Sequence, residues 1–297
     1  MQTVRVNFPD DRGLLDVLAR FGVRPDDVLG HGGEAWVYAL DHARVLRVLH
    51  AGGTVDHVRR RSRLIDELTR SRVAFDLPEA LDVGEINGRV FVVERRLAGR
   101  SVMAELRVAD GSRRARLIEA HLEAAAALGD LHLDPRGYYG DLISDDPITV
   151  DTWRMYLRAK AAASLSGSVA DFASIDPSPL ADALPDAIGP AYVHLDAFTG
   201  NMLTDGQRIT AVLDFGPTSV CGDRRLDPIA AVVYLTAPEI TPTATPADAD
   251  LAHSWLRGAG LDHWFAAAQR WLAAFWTFAI DDPLVLRWCR RVLLSRN

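Results

Sequence analysis

His194, Asp196 and Asn201 occur in the spacing H-x-D-x-x-x-x-N, and eighteen positions after Asp196 a second acid, Asp214, opens D-F-G. Two carboxylates and an amide gathered in this way suit phosphoryl transfer. One acid accepts the proton of an attacking hydroxyl, while the amide and the second acid hold a divalent metal on nucleotide phosphates. On this reading Asp196 and His194 are the catalytic residues, and Asn201 and Asp214 are ligands of Mg²⁺. The competing reading is a β-hairpin whose acids are solvated turn residues. Four residues in this order argue against it.

Apolar residues precede both acids: Tyr192 and Val193 before the first, Ile209, Ala211, Val212 and Leu213 before the second. The pattern predicts two short strands, each delivering a carboxylate at its end, with a turn around Asp205-Gly206. A second candidate group lies upstream, in V-L-G-H-G-G-E-A-W-V-Y-A-L over residues 28–40. It reads as a strand, a break at glycines, and a strand again. Gly30, Gly32 and Val37 fall on G-x-G-x-x-G-x-V with Ala35 in the third glycine slot and Gly33 between, and such a backbone can close over phosphates. The next strand, residues 43–49, carries Arg47. Alternation puts residues 45, 47 and 49 on one face and 44, 46 and 48 on the other. The chain's single lysine is Lys160. A strand cation offered to phosphates must therefore be an arginine.

The stretch 192–216 resembles the catalytic and metal loops of the aminoglycoside phosphotransferase and choline kinase-like family, small-molecule kinases with a protein-kinase-like fold. The resemblance implies an α+β, bilobal architecture. Its N-terminal lobe, residues 1–98, would be an antiparallel sheet with one major helix, and residues 99–297 a larger, mostly helical lobe. It implies Mg²⁺, with ATP or GTP as phosphoryl donor. R-V-F-V-V-E followed by R-R-L-A-G resembles the hinge between lobes, where the backbone of Glu94, Arg96 and Leu97 would meet the adenine edge. Arginine occupies the Arg47 slot in many members. Kinases also carry a glutamate on the helix after this strand, here residues 55–70. The expected position falls near Arg61, and Glu67, Asp66 and Asp56 stay open as substitutes.

Elsewhere the periodicity predicts helices at 11–21, 112–132, 150–166 and three near the C-terminus. Strands are expected at 80–85 and 89–94 around an Asn87-Gly88 turn. Asp227 reads as the N-cap of a helix with Pro228 at its first position, fixing the catalytic loop. Asp134, Asp141, Asp145, Asp146 and Asp151 read as caps or turn residues, His132 as structural, and five C-terminal tryptophans as core.

Composition narrows the class. Apolar content of 48% and charged content of 25% describe a soluble globular protein. No hydrophobic signal segment opens the chain, and no apolar run approaches the roughly 20 residues of a membrane span. Cys221 and Cys289 have neither disulfide nor metal spacing and read as buried thiols in a reducing cytoplasm. The net charge is −7, and residues 1–100 carry 16 arginines against 15 acids, so the acidic excess lies beyond them. That balance argues against nucleic acid. It suits a cationic acceptor, or serves solubility alone.

Two other readings compete. A protein kinase could place Ala237-Pro238-Glu239 as its A-P-E motif. Leu195 stands where H-R-D has arginine, 61 residues separate His132 from His194, and only 58 follow Glu239. A nucleotide-binding pseudokinase is favoured only by the missing helix glutamate. The expected activity is O-phosphotransfer to a small hydroxylated molecule: an aminoglycoside or other amine-bearing antibiotic, choline, a sugar or an amino sugar.

Overall fold

Asp11 accepts a hydrogen bond from the Leu14 amide and so caps the first helix, α1 (Arg12–Phe21), which ends at Gly22 with a left-handed φ of 66°. The computed structural model describes residues 11–295. The N-terminal residues read for a signal segment therefore lie outside the described residues. The chain divides into two compact units. One holds the residues up to Asp66 together with Pro78–Leu97, the other Glu67–Leu77 together with the chain from Ala98 onward. Residues 67–77, expected in the first lobe, thus group with the second.

The first unit is a five-stranded antiparallel sheet. Its strands are β1 (Val28–His31), β2 (Ala35–Ala39), β3 (Arg44–Leu49), β4 (Ala80–Ile86) and β5 (Arg89–Arg95), in the order β1-β2-β3-β5-β4. Asn87 and Gly88, with φ of 48° and 76°, make the tight turn between β4 and β5. Two helices cover the sheet. Tyr38, Leu46, Val48, Phe91 and Val93 pack against Leu14, Val17 and Leu18 of α1. Leu49, Val90 and Val92 pack against Val58 of α2 (Val55–Leu68). The second helix on the sheet is α1, whose apolar stripe was legible as a helix but not assigned a face.

The second unit opens with β6 (Arg100–Ser101), α3 (Val102–Leu106) and α4 (Gly111–Ala127). There follow β7 (Tyr139–Asp141), β8 (Thr149–Val150), α5 (Trp153–Ser166), α6 (Pro177–Asp182), β9 (Ala191–Val193), β10 (Met202–Thr204), β11 (Ile209–Val212) and β12 (Val220–Gly222). It closes with α7 (Leu226–Leu235), α8 (Pro246–Gly258), α9 (Phe265–Phe275) and α10 (Pro283–Leu294). Two small antiparallel sheets form, β11-β10-β6 and β8-β7-β12-β9. Every residue of α7 is buried, which explains its nearly unbroken apolar run. Trp271 and Trp288 are fully buried, while Trp255, Trp264 and Trp276 are half-buried.

Three expectations are corrected here. The catalytic stretch holds three strands, not two: β9 pairs with β12, and β10 and β11 form their own hairpin. Asp227 does not cap α7, which begins at Leu226 after Arg225; it sits inside the first turn. Asp141 is not a turn acid. It is buried, and one of its oxygens accepts from both Tyr156 Oη and Lys160 Nζ at 2.8 Å.

Candidate active site

The candidate catalytic loop is the crossover from β9 in one sheet to β10 in the other. His194, fully buried, sits at its start. The ring Nδ1 accepts from the Asp196 amide at 3.2 Å, so the proton is on Nε2, which donates to the Leu213 carbonyl at 3.0 Å. Burial holds its pKa down at about 4, although the Asp214 carboxylate pulls the other way. The ring is thus neutral, with both nitrogens engaged, and packs edge-on against Phe215 at 4.9 Å. This corrects the expectation that His194 is catalytic: a ring with no exposed surface and no nitrogen to spare positions the loop instead.

Asp196 and Asn201 meet directly. The Asn201 amide nitrogen donates to Asp196 Oδ2 at 2.8 Å and to the Asp196 carbonyl at 3.1 Å. With its nitrogen on the acid, the Asn201 amide keeps an oxygen that can only accept. The Asn201 carbonyl in turn accepts from the Leu213 amide at 2.8 Å, tying the loop to the strand that delivers Asp214. Leu195 and Asp214 both adopt left-handed backbone, φ 60° and 63°. Each such residue costs about 1–3 kcal/mol and persists only where its surroundings over-determine it. Around Leu195 they do: Asp227 accepts from the His194 amide at 2.7 Å and from the Leu195 amide at 2.9 Å. Asp227 is wholly buried, and burial pushes its pKa up to about 7 against the pull of those two amides.

Oxygen ligands from one amide and one carboxylate suit Mg²⁺, which keeps several waters and takes the rest of its shell from substrate phosphates. Among the described residues no group of three or more His, Cys, Asp or Glu side chains could hold a metal alone. The donor set fits a cation that arrives with its nucleotide.

In the first unit β1 and β2 form the glycine hairpin. A Cβ on Gly30, Gly32 or Gly33 would meet open space, so no protein atom requires glycine there. The tip is tethered by the His50 amide donating to the Glu34 carbonyl at 2.8 Å and by His50 Nε2 against the Gly32 carbonyl at 2.9 Å. Val37 pairs with Arg47 across β2 and β3. Arg47 lies on the face opposite Leu46 and Val48, is largely buried, and donates to the Glu34 carboxylate at 3.1 Å. Arg44 is exposed and pairs with Asp41. Glu34 escaped the sequence reading because its contact crosses a hairpin, although it is the one acid in the glycine stretch.

Arg61, at the expected helix-glutamate position, forms a buried ion pair with Glu94 at 2.7 Å. Glu67 is committed to Arg136 and the Asp134 amide. The hinge expectation needs correction at Arg96. Its amide donates to the Ala43 carbonyl at 2.8 Å and cannot also serve a base edge, and the neighbouring Arg95 amide donates to Glu79. Glu94 lies in the ladder opposite Val45 and Ala80. Leu97 remains as the hinge candidate. Gly99 follows at φ 123°, where a Cβ would stand 2.7 Å from Thr210 Oγ1.

No described helix is long and apolar enough to cross a membrane. The family model described as the phosphotransferase enzyme family, APH, matches residues 28–270. No curated protein sequence matches the chain. Among solved structures, the gentamicin complex of APH(2")-IIa is 14% identical, covers 98% of both chains, and has a TM-score of 0.65. ADP-bound aminoglycoside phosphotransferase APH(2'')-Ib is 14% identical over 96% of this chain and 97% of its own, TM-score 0.60. The GDP and kanamycin complex of APH(2")-IIia is 17% identical over 94% and 96%, TM-score 0.59. At such identities the likeness shows the fold.

Proposed function

Because this chain belongs to the APH phosphotransferase enzyme family and is a small-molecule kinase, we propose that it moves the γ-phosphoryl group of ATP or GTP to a hydroxyl of an aminoglycoside or another amine-bearing small molecule. The observation that carries the reading is the Asn201–Asp196 hydrogen bond. It fixes the direction of one carboxylate, so that Asp196 can orient an acceptor hydroxyl and take its proton as the bond to phosphorus forms. The base need not be strong, since transfer to phosphorus leans mainly on positioning and charge.

Asn201 and Asp214 are the proposed Mg²⁺ ligands. When bound with nucleotide, the ion would neutralise phosphate charge. Arg47 is the proposed phosphate-binding cation; its planar guanidinium can grip two oxygens. Glu34 holds that guanidinium until phosphates replace the carboxylate. The open space at Gly30, Gly32 and Gly33 supports a close approach of backbone amides to phosphate. Leu97 is the proposed backbone contact to the base.

The aminoglycoside class is supported by the likeness to chains bound to gentamicin and kanamycin. The acidic excess beyond residue 100 suits it, although much of that acid is spent on arginines, as at Asp182, Asp186, Asp223 and Asp248. Choline or an amino sugar would meet the same chemistry. The test is a panel of kanamycin, gentamicin, streptomycin, choline and glucosamine, each incubated with Mg²⁺ and γ-labelled ATP or GTP. Label is expected on an amine-bearing acceptor; no label on any would overturn the reading.

A further inference from the structure

Leu195, the residue immediately before Asp196, is held at both its amide and its carbonyl. Asp227 takes the amides of His194 and Leu195. The Leu195 carbonyl accepts from Tyr234 Oη at 2.6 Å. Tyr234 is buried, seven residues after Asp227, so both residues lie on one face of α7 two turns apart. The tyrosine hydroxyl accepts in turn from Trp276 Nε1 at 2.8 Å. Trp276 lies in the short 3-10 turn after α9 and meets the Tyr234 ring edge-on.

The chain of donors is directional. Trp276 Nε1 can only donate. Its N–H occupies a lone pair of Tyr234 Oη and turns the hydroxyl proton toward Leu195. The proton is also retained, because burial raises the Tyr234 pKa well above its ordinary value. Leu195, meanwhile, sits in a left-handed backbone that a leucine adopts only under constraint. A buried Leu195 could relax toward ordinary φ if its carbonyl were released, and the Asp196 carboxylate would swing with it.

We infer that Tyr234, oriented by Trp276, is a positioning residue that holds the Leu195 peptide in its left-handed turn and thereby aims Asp196. The inference rests on the kinase reading given above. It also links the catalytic loop to the C-terminal helices, which the sequence offered only as core aromatics.

The variants are Tyr234→Phe, which removes one oxygen and keeps the ring, and Trp276→Phe, which leaves the hydroxyl without its orienting donor. In Tyr234→Phe, hydrogen exchange of the amides at 194–196 should rise about tenfold or more. Turnover of Mg·ATP with the accepted member of the acceptor panel should fall about tenfold to a hundredfold, and the nucleotide KM should stay within about twofold. Trp276→Phe should show the same pattern at smaller amplitude. Placed in an Asp196→Asn background, Tyr234→Phe should remove nothing further, because it acts through that carboxylate. Unchanged exchange at 194–196 in folded Tyr234→Phe overturns the inference. So does unchanged turnover, or an equal loss in the Asp196→Asn background. Failure of the kinase reading looks different: wild type would then transfer no phosphate to any acceptor while the exchange difference persisted.

Discussion

Asp227→Asn separates the stability of this fold from the geometry of its catalytic loop. The wild-type carboxylate is completely buried and accepts from two amides, His194 at 2.7 Å and Leu195 at 2.9 Å. Burial pushes its pKa from 3.8 up to about 7. At about 1.4 kcal/mol per unit, keeping it ionised in the folded state costs about 4 kcal/mol relative to the unfolded chain. Asparagine carries no such charge. It keeps one acceptor oxygen and turns an NH₂ toward the other amide, leaving a buried donor facing a donor at about 1–3 kcal/mol. The two effects oppose each other and are of similar size. Urea denaturation at pH 8, where the wild-type acid is ionised, should therefore place the variant within about 2 kcal/mol of wild type. Turnover should nevertheless fall about 10²-fold, because Leu195, the residue before Asp196, has lost the partner of its amide. A variant that keeps its turnover within twofold, or that loses more than about 4 kcal/mol of stability, refutes this reasoning.

Three further outcomes are expected. Arg47→Ala should raise the nucleotide KM roughly tenfold or more with little change in acceptor KM, and Arg47→Lys should be impaired too because an ammonium cannot bind bidentately; kinetics of these against Arg44→Ala decide the matter, since a silent Arg47→Ala would remove that residue from phosphate binding. Asp214→Ala should shift the Mg²⁺ dependence of nucleotide binding to higher concentration, and an unchanged titration would reduce Asp214 to a structural acid. Stability should fall as pH drops from 6.5 to 4: His121 and His194, both held down at about 4 by burial, stay neutral in the folded state while the unfolded chain takes up two protons, and Asp227 takes up one in the folded state. The net proton favours unfolding by about 1.4 kcal/mol per pH unit. Urea midpoints across that range measure it, and a flat profile contradicts the assignment.

The parts legible in the sequence were those with a short internal signature. H-x-D-x-x-x-x-N and the following D-F-G marked the loop that the structure builds, and alternation along β3 put Arg47 opposite Leu46 and Val48 as read. The glycine hairpin appeared where its strand–break–strand pattern placed it. What stayed hidden was pairing at a distance. Three-residue strands such as β9 and β10 carry no period, so nothing local said that they belong to different sheets. Asp227 reaches back 32 residues to the Leu195 amide, and Arg61 finds Glu94 across 33. At Arg61 a basic residue stands where an acid was expected, and it is committed to that buried pair. Arg96 reads as a hinge amide in sequence, but the Ala43 carbonyl takes it. Asp141 sat in a run of aspartates with nothing in its spacing to mark it as the partner of the chain's one lysine.

The measurement closest to the central claim is the single-turnover rate of phosphoryl transfer by Asp196→Asn, taken with Mg·ATP binding to the same variant. Removing a general base costs about 10²- to 10⁴-fold. The account predicts a loss in that range with nucleotide affinity within about twofold of wild type. A variant that retains more than a tenth of the wild-type rate would contradict it.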